Sequence, residues 1–272
     1  MKAELSHRNE KANAVIIAAG KLAMSYFKTL DTLEIENKGV QDRVTEADRN
    51  VEKLIYEKLI ADFPEDGFLG EESGRHGELG EEQFVWVVDP IDGTDCFVHG
   101  IPTWCISIGL VYGNQPVAGY IFHPSGNELF HACHGEGAFC NDIPIHTSDK
   151  KSMTDGLLGI GFSHRRDPSL TLEVLQRLLT AKGIFQRNGS AALTLAYVAA
   201  GRYLGFVESH MNSWDVLAGL VIVRESGGFY SDFFAGDGLL KGNPVVTGAA
   251  GIKDELMEIA QPIFSSGPSG VR

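Results

Sequence analysis

The stretch Trp86-Val87-Val88-Asp89-Pro90-Ile91-Asp92-Gly93-Thr94 joins an apolar run, patterned as a buried strand, to two carboxylates, a proline and a glycine. Asp89 and Asp92 lie three residues apart across a kink, which lets both side chains converge on one point. Paired carboxylates of this kind suit hard cations, which take oxygen ligands and accompany phosphate groups. Gly93-Thr94 allows backbone N–H groups to approach an anion closely, the more so where a helix begins. Asp, Pro and Gly are also the usual residues of a plain strand-to-turn transition, so this stretch alone leaves both readings open.

Other acidic residues stand at element ends. Glu71-Glu72 follows the short apolar stretch Phe68-Leu69-Gly70, and Asp215 falls in the first turn of a predicted helix. Singly, each has an ordinary explanation: a solvated turn for the first, and for the second a helix-dipole interaction worth about a few tenths of a kcal/mol. Together with Asp89 and Asp92 they could hold two or three Mg²⁺ ions and support phosphate chemistry. Thr45 and Asp48 have the spacing of a capping box at a helix start. His131, Cys133, His134 and Cys140 cluster in sequence, but strand alternation puts His131 and Cys133 on one face and His134 on the other, against a zinc site.

The elements that must position these residues can be read from periodicity. Apolar residues at three- and four-residue spacing predict helices over Asn9 to Leu30 and Thr45 to Asp62, the second stopped by Pro64. Gly74 to Glu82 is polar and glycine-rich and reads as a mobile loop. A strand into Asp89 precedes strands at Cys105–Tyr112, Pro116–His123 and Glu128–Cys133, joined by short turns, which predicts an antiparallel meander. Beyond about residue 150 strands alternate with helices, an α/β rhythm: Leu157–Phe162, Ser169–Ala181, Phe185, Ser190–Ala200, Tyr203–Glu208, Trp214–Ser226, Val245–Thr247 and Ile252–Ile259. The expected organisation is one compact domain over 1–262, with a metal-binding α+β half to about 150 and an α/β half after it. Residues 263–272 read as a disordered tail.

A chain of 272 residues can bury roughly three quarters of its unfolded surface, so it needs no covalent staples. The four cysteines form no CxxC pair and no secretory signal is evident, which predicts reduced thiols and a cytoplasmic protein. The formal charge of −13 argues against direct nucleic-acid binding, which needs clustered Lys and Arg. No apolar run approaches the ~18 residues of a membrane-spanning helix.

Asp89-Pro90-Ile91-Asp92-Gly93-Thr94, preceded by Trp86, resembles the first signature of the inositol monophosphatase family, and Trp214-Asp215-Val216-Leu217-Ala218-Gly219 resembles the second. The segments Lys38 to Asp48, Gly70-Glu71-Glu72-Ser73, Gly135 to Asn141 and Arg187 to Ala192 resemble further motifs in the family's order, so the likeness covers roughly residues 10 to 260. It implies a layered α-β-α-β-α sandwich, a homodimer, and a lithium-sensitive, Mg²⁺-dependent phosphatase acting on small phosphorylated substrates. By resemblance Glu71, Asp89 and the carbonyl of Ile91 hold a first metal; Asp89, Asp92 and Asp215 hold a second; and Glu71 faces a weaker third. Glu71 and Thr94 orient the attacking water, with Asp48 bonded to the threonine. Phosphate lies against the metals and the N–H groups of Gly93 and Thr94.

Glu208 matches the position that binds a substrate hydroxyl, and Gly189-Ser190-Ala191 matches a segment lining that pocket. The resemblance points to inositol monophosphate or a similar polyol phosphate. Histidinol phosphate, fructose 1,6-bisphosphate and adenosine 3′,5′-bisphosphate are alternatives within the same fold, and partnership with RNA or the transcription machinery is an alternative of another class. One departure is visible: the first signature usually continues Thr-x-Asn-Phe, whereas this chain has Thr94-Asp95-Cys96-Phe97. His99 reads as a structural neighbour of the signature, and His210 as a possible substrate contact.

Overall fold

The computed structural model describes residues 2–32, 35–39, 42–77, 80, 82–113 and 115–265. Helix α1 (Lys2–Phe27) starts earlier than its apolar stripe predicts. Leu5 packs on the core, and the Arg8 guanidinium grips Asp66 through both carboxylate oxygens, Nε at 2.8 Å and Nη2 at 2.6 Å. The hairpin β1 (Ile35–Gly39) and β2 (Asp42–Thr45) leads into α2 (Glu46–Asp62). Thr45 caps α2 in the predicted capping box, and Val51, Ile55 and Leu59 are fully buried beneath it.

Next come β3 (Gly67–Gly70), β4 (Gly74–His76), β5 (Phe84–Asp92), the short helix α3 (Thr94–Val98) and β6 (Cys105–Tyr112). They are followed by β7 (Gln115–His123), β8 (Glu128–Cys133), β9 (Gly137–Cys140) and β10 (Ile143–Pro144). Among the described residues these strands form one sheet of order β10-β9-β8-β7-β6-β5-β3-β4. The meander from β6 onward is antiparallel, as its turns predict, whereas β3 runs parallel to β5. The segment read as a mobile loop begins instead with β4, which pairs with β3 from Phe68↔His76 to Gly70↔Gly74. Its residues 78, 79 and 81 lie outside the described set.

The second half contains β11 (Leu157–Ile160), α4 (Pro168–Thr180), β12 (Ile184–Gln186), α5 (Ala191–Ala199), β13 (Gly205–Met211) and α6 (Ser213–Glu225). It ends with β14 (Gly228–Tyr230), α7 (Gly238–Lys241), β15 (Asn243–Ala249), α8 (Lys253–Ala260) and α9 (Pro262–Ser265). The sheet order is β12-β11-β13-β15-β14, parallel at β11 and antiparallel from β13 to β14. Residues 263–265, read as the start of a disordered tail, are helical in α9; the rest of that segment lies outside the described residues.

Among the described residues, apolar clusters fill the spaces between five layers. α1 and α2 close over one face of the first sheet, around Trp86, Trp104 and Tyr120. α5 and α6 fill the space between the sheets, and α4, α8 and α9 cover the outer face of the second sheet. This is the α-β-α-β-α sandwich expected. α6 lies unusually close to the first sheet because Gly109 and Gly119 face each other across β6 and β7. A Cβ on Gly119 would overlap the backbone of Ala218, and one on Gly109 would overlap Leu217. No helix is long and apolar enough to cross a membrane among the described residues.

Candidate active site

The acidic stretch of β5 does not end at Asp89: pairing with β6 continues to Asp92, with Asp89 opposite Ser107 and Asp92 opposite Cys105. Three steps on β5 thus match two on β6, which is a β-bulge. In a regular strand, residues three apart point to opposite faces. The extra residue restores the parity, and both carboxylates emerge on one side. Asp215 reaches them from the first turn of α6, where the Asn212 N–H donates to its Oδ2 at 2.9 Å in a second capping box. One oxygen each of Asp89, Asp92 and Asp215 lie within 4.8 Å of one another.

Asp92 is further fixed by α5. Its Oδ2 accepts from Ser190 Oγ and from the Ala192 N–H, both at 2.6 Å. Ser190 is also the N-cap of α5, its Oγ accepting from the Leu193 N–H. Glu71 stands in the turn after β3, held by its N–H to the Val88 carbonyl at 3.1 Å. Its carboxyl is within hydrogen-bonding reach of Asp89.

Crowding these acids raises their proton affinity. Burial is the main cause throughout; repulsion adds to it from Asp215 for Glu71 and from Glu71 for Asp89, and both rise well above the carboxylate range. Burial lifts Asp92 to about 6, against the opposing hydrogen bonds from Ser190 and the α5 backbone. Burial and then the Asp92 charge lift Asp215 to about 7. A cluster that resists full ionisation by itself, yet offers only oxygen donors, has the chemistry of a divalent-cation site.

Thr94 opens α3 behind Gly93, whose φ of 96° lies in the left-handed region that glycine tolerates. The Thr94 hydroxyl lies 3.3 Å from Asp48 Oδ1 and 3.1 Å from the Ile91 carbonyl, either of which can accept its proton. Asp48 is fully buried and divides its oxygens between two tasks. Oδ2 accepts from the Thr45 N–H and hydroxyl, leaving Oδ1 for Thr94. The capping box and the reach toward the site are therefore properties of one side chain.

Beside the acids opens a cleft of about 160 Å³, walled by Gly189, Ser190, Ala191 and Glu208 with Asp92 and Asp215 at its edge. Burial raises the proton affinity of Glu208, with Asp215 adding to the effect and Arg187 opposing it. Gly161 makes room for Glu208: a Cβ there would overlap the carboxylate. Cys96, where the signature usually has Asn, directs its Sγ to the Asn188 carbonyl at 3.5 Å and so braces the cleft wall.

Asp89, Asp92 and Asp215 are thus brought together, with Glu71, Thr94 and Asp48 beside them, and Gly189, Ser190, Ala191 and Glu208 wall the adjoining cleft. His99 does not face the acids; its Nδ1 lies 2.7 Å from its own helix's Asp95 carbonyl. His210 meets Arg165, Nε2 to Nη1 at 3.5 Å. The histidines and cysteines considered for zinc are dispersed: Cys133 lies in the first core against Tyr120, Cys140 packs on the second, and His134 faces Glu225. Arg187 in the cleft wall carries no role in the sequence analysis beyond opening a family motif, and Glu52 escapes it. The latter had a signal, a carboxylate on the inward stripe of α2.

A bulged strand end and a helix N-terminus thus converge on buried carboxylates in a five-layer sandwich, an arrangement that suits a divalent cation. The chain belongs to the inositol monophosphatase family, whose model it matches over residues 4–263. The inositol-1-monophosphatase of Mesorhizobium japonicum is 38% identical over 265 residues, covering 95% of this chain and 99% of that protein. The Nus factor SuhB of Xylella fastidiosa is 38% identical over 222 residues, covering 81% and 80%. The crystal structure of the extragenic suppressor protein suhB from Bartonella henselae superimposes with a TM-score of 0.84 at 33% identity, covering 95% of this chain and 98% of that one.

Proposed function

We propose that the protein is a Mg²⁺-dependent phosphomonoesterase acting on inositol monophosphate or a similar small polyol phosphate. The observation that carries the reading is the convergence of Asp89, Asp92 and Asp215 within 4.8 Å at the edge of a cleft whose wall holds Glu208. Glu71, Asp89, the Ile91 carbonyl, Asp92 and Asp215 would hold two or three Mg²⁺ ions. Bound Mg²⁺ lowers the pKa of water and neutralises phosphate and leaving-group charge.

The chain's own residues supply the positioning. Glu71 and Thr94 orient the attacking water, and Asp48 holds Thr94 in place. The N–H groups of Gly93 and Thr94 receive phosphate oxygens. Glu208 accepts from a hydroxyl of the alcohol portion, which favours a polyol over histidinol phosphate, fructose 1,6-bisphosphate or adenosine 3′,5′-bisphosphate. Attack is in line, with no covalent phosphoenzyme, so orientation and charge neutralisation supply most of the rate. Family resemblance also supports lithium sensitivity, a homodimer and a cytoplasmic location.

The test is phosphate release from those four substrate classes with and without Mg²⁺, alongside Asp92→Asn. Mg²⁺-dependent turnover of inositol 1-phosphate that the variant loses is the expected result. More than tenfold preference for histidinol phosphate in kcat/KM would overturn the polyol assignment. A second reading, service to the transcription machinery, is favoured by relatives named Nus factor SuhB. Full complementation of a deletion strain by inactive Asp92→Asn would move it ahead.

A further inference from the structure

Glu52 has so far had no task. Its carboxylate is 2% exposed, and both oxygens are spent on one turn: Oε2 accepts from the Glu72 N–H at 2.9 Å and Oε1 from the Ser73 N–H at 2.8 Å. The turn is the one that carries Glu71. Gly70 permits the approach, since a Cβ there would overlap the Glu52 carboxylate. Burying a carboxylate costs several kcal/mol unless hydrogen bonds compensate it, and here the compensation comes from the two N–H groups next to Glu71.

Glu52 lies four residues after Asp48 on α2, one helical turn away on the same face. Asp48 reaches Thr94; Glu52 reaches the Glu71 turn. We propose that Glu52 is a positioning residue for Glu71, and that the Asp48–Glu52 face of α2 is the gauge that sets Glu71 and Thr94 relative to each other. The proposal rests on the reading of these two as the water-orienting pair. It gives α2 a role in the reaction that its apolar stripe does not announce: two buried acids at i and i+4 translate the helical pitch into the spacing of two groups from different strands.

The same place offers a chemical test. A hollow of about 330 Å³ lined by Arg49, Lys53, Tyr56, Ser73 and His76 opens beside Glu52, so a small carboxylate can reach the site that Glu52→Ala vacates. The measurements are made on the intact protein with Glu52→Ala and the volume-preserving Glu52→Gln. Both variants should lose about tenfold to a hundredfold in kcat on inositol 1-phosphate, as happens when a group that holds a ligand in place is removed, with KM changed far less. Calorimetric Mn²⁺ affinity of the substrate-free protein should weaken in step, and the Glu72 and Ser73 amides should exchange faster.

Formate, and not chloride, should restore part of the kcat of Glu52→Ala. A folded Glu52→Gln with wild-type kcat and Mn²⁺ affinity would overturn the proposal. So would a loss that formate leaves untouched and that tracks a general fall in melting temperature and amide protection. If the wild-type protein hydrolyses no phosphate ester, the functional reading fails, and Mn²⁺ affinity with the two amides still decides the clamp: selective loosening with weaker binding supports it, and unchanged values end it.

Discussion

Asp92 and Ser190 tie the first sheet to the helical layer between the sheets, through a 2.6 Å bond from the Ser190 hydroxyl to Asp92 Oδ2. Since the same hydroxyl caps α5, the start of a helix and the aim of a carboxylate are set by one atom. Ser190→Ala should cost about 1–2 kcal/mol in urea unfolding, the usual worth of a cap with a charge-assisted bond. It should also weaken Mg²⁺ activation by about tenfold, as loss of a ligand's supporting partner does. Unchanged Mg²⁺ dependence would show that Asp92 is aimed by the Ala192 N–H alone.

Proton affinity predicts how stability depends on pH. The values of about 6 for Asp92 and about 7 for Asp215 lie above the ordinary 3.8. The folded chain therefore binds these protons more tightly than the unfolded one. Their stabilising contribution is complete below about 4, and it is lost as pH rises through 6 and then 7. Metal-free protein should melt at a lower temperature at pH 8 than at pH 5.5 on account of these groups.

On the proposed reading, added Mg²⁺ should reverse the trend, because a cation favours the ionised form of the cluster. At a hundredfold excess over its dissociation constant a bound ion adds about 2.7 kcal/mol. The rise in melting temperature on adding Mg²⁺ should thus be larger at pH 8 than at pH 5.5. Scanning calorimetry at both values, with EDTA and with Mg²⁺, checks the sign.

Glu208 predicts a split in kinetics. Glu208→Gln keeps the shape but exchanges an acceptor pair for an acceptor and a donor against the substrate hydroxyl. On inositol 1-phosphate, kcat/KM should fall by about tenfold, equivalent to about 1.4 kcal/mol. A phosphate ester without hydroxyls on its alcohol should be cleaved with kcat/KM little changed. Equal losses on both substrates would place Glu208 in the general electrostatics of the cluster instead.

The Arg8–Asp66 pair offers a contrast remote from the chemistry. Its side chains are 12% and 3% exposed, and Asp66 also accepts from the Trp86 indole at 2.9 Å. Arg8→Ala strands a buried carboxylate, which typically costs about 3–5 kcal/mol. Urea midpoints should fall accordingly while kcat at 25 °C is retained. Loss of both together would mean that α1 helps to shape the site.

Much of this arrangement was legible in the chain because its signals are local. The capping box of Thr45 and Asp48, the meander from Cys105 to Cys133 and the helix after Trp214 depend on residues within a few positions of each other. So do the candidate carboxylates at element ends. The bulge at Asp89–Asp92 was visible only as a kink, because it is defined by the partner strand and not by the sequence that contains it. Glu52 escapes notice, and Arg187 has no role beyond its motif, for a related reason: their importance comes from what other segments place against them. The polar stretch after Ser73 has the composition of a loop, and nothing local shows that Phe68 and His76 will pair.

The facing glycines of β6 and β7 also fix a tolerance. Asp89 and Asp92 are carried by the sheet, Asp215 by α6, and the gap between those carriers is set where Gly119 faces the Ala218 backbone and Gly109 the Leu217 side chain. A side chain at either glycine would act as a shim, tilting the helix and widening the oxygen cage from beneath while leaving every ligand in the sequence intact. The spacing of the three acids is thus set in part by residues that are not among them, two glycines whose missing side chains let the helix rest where it does.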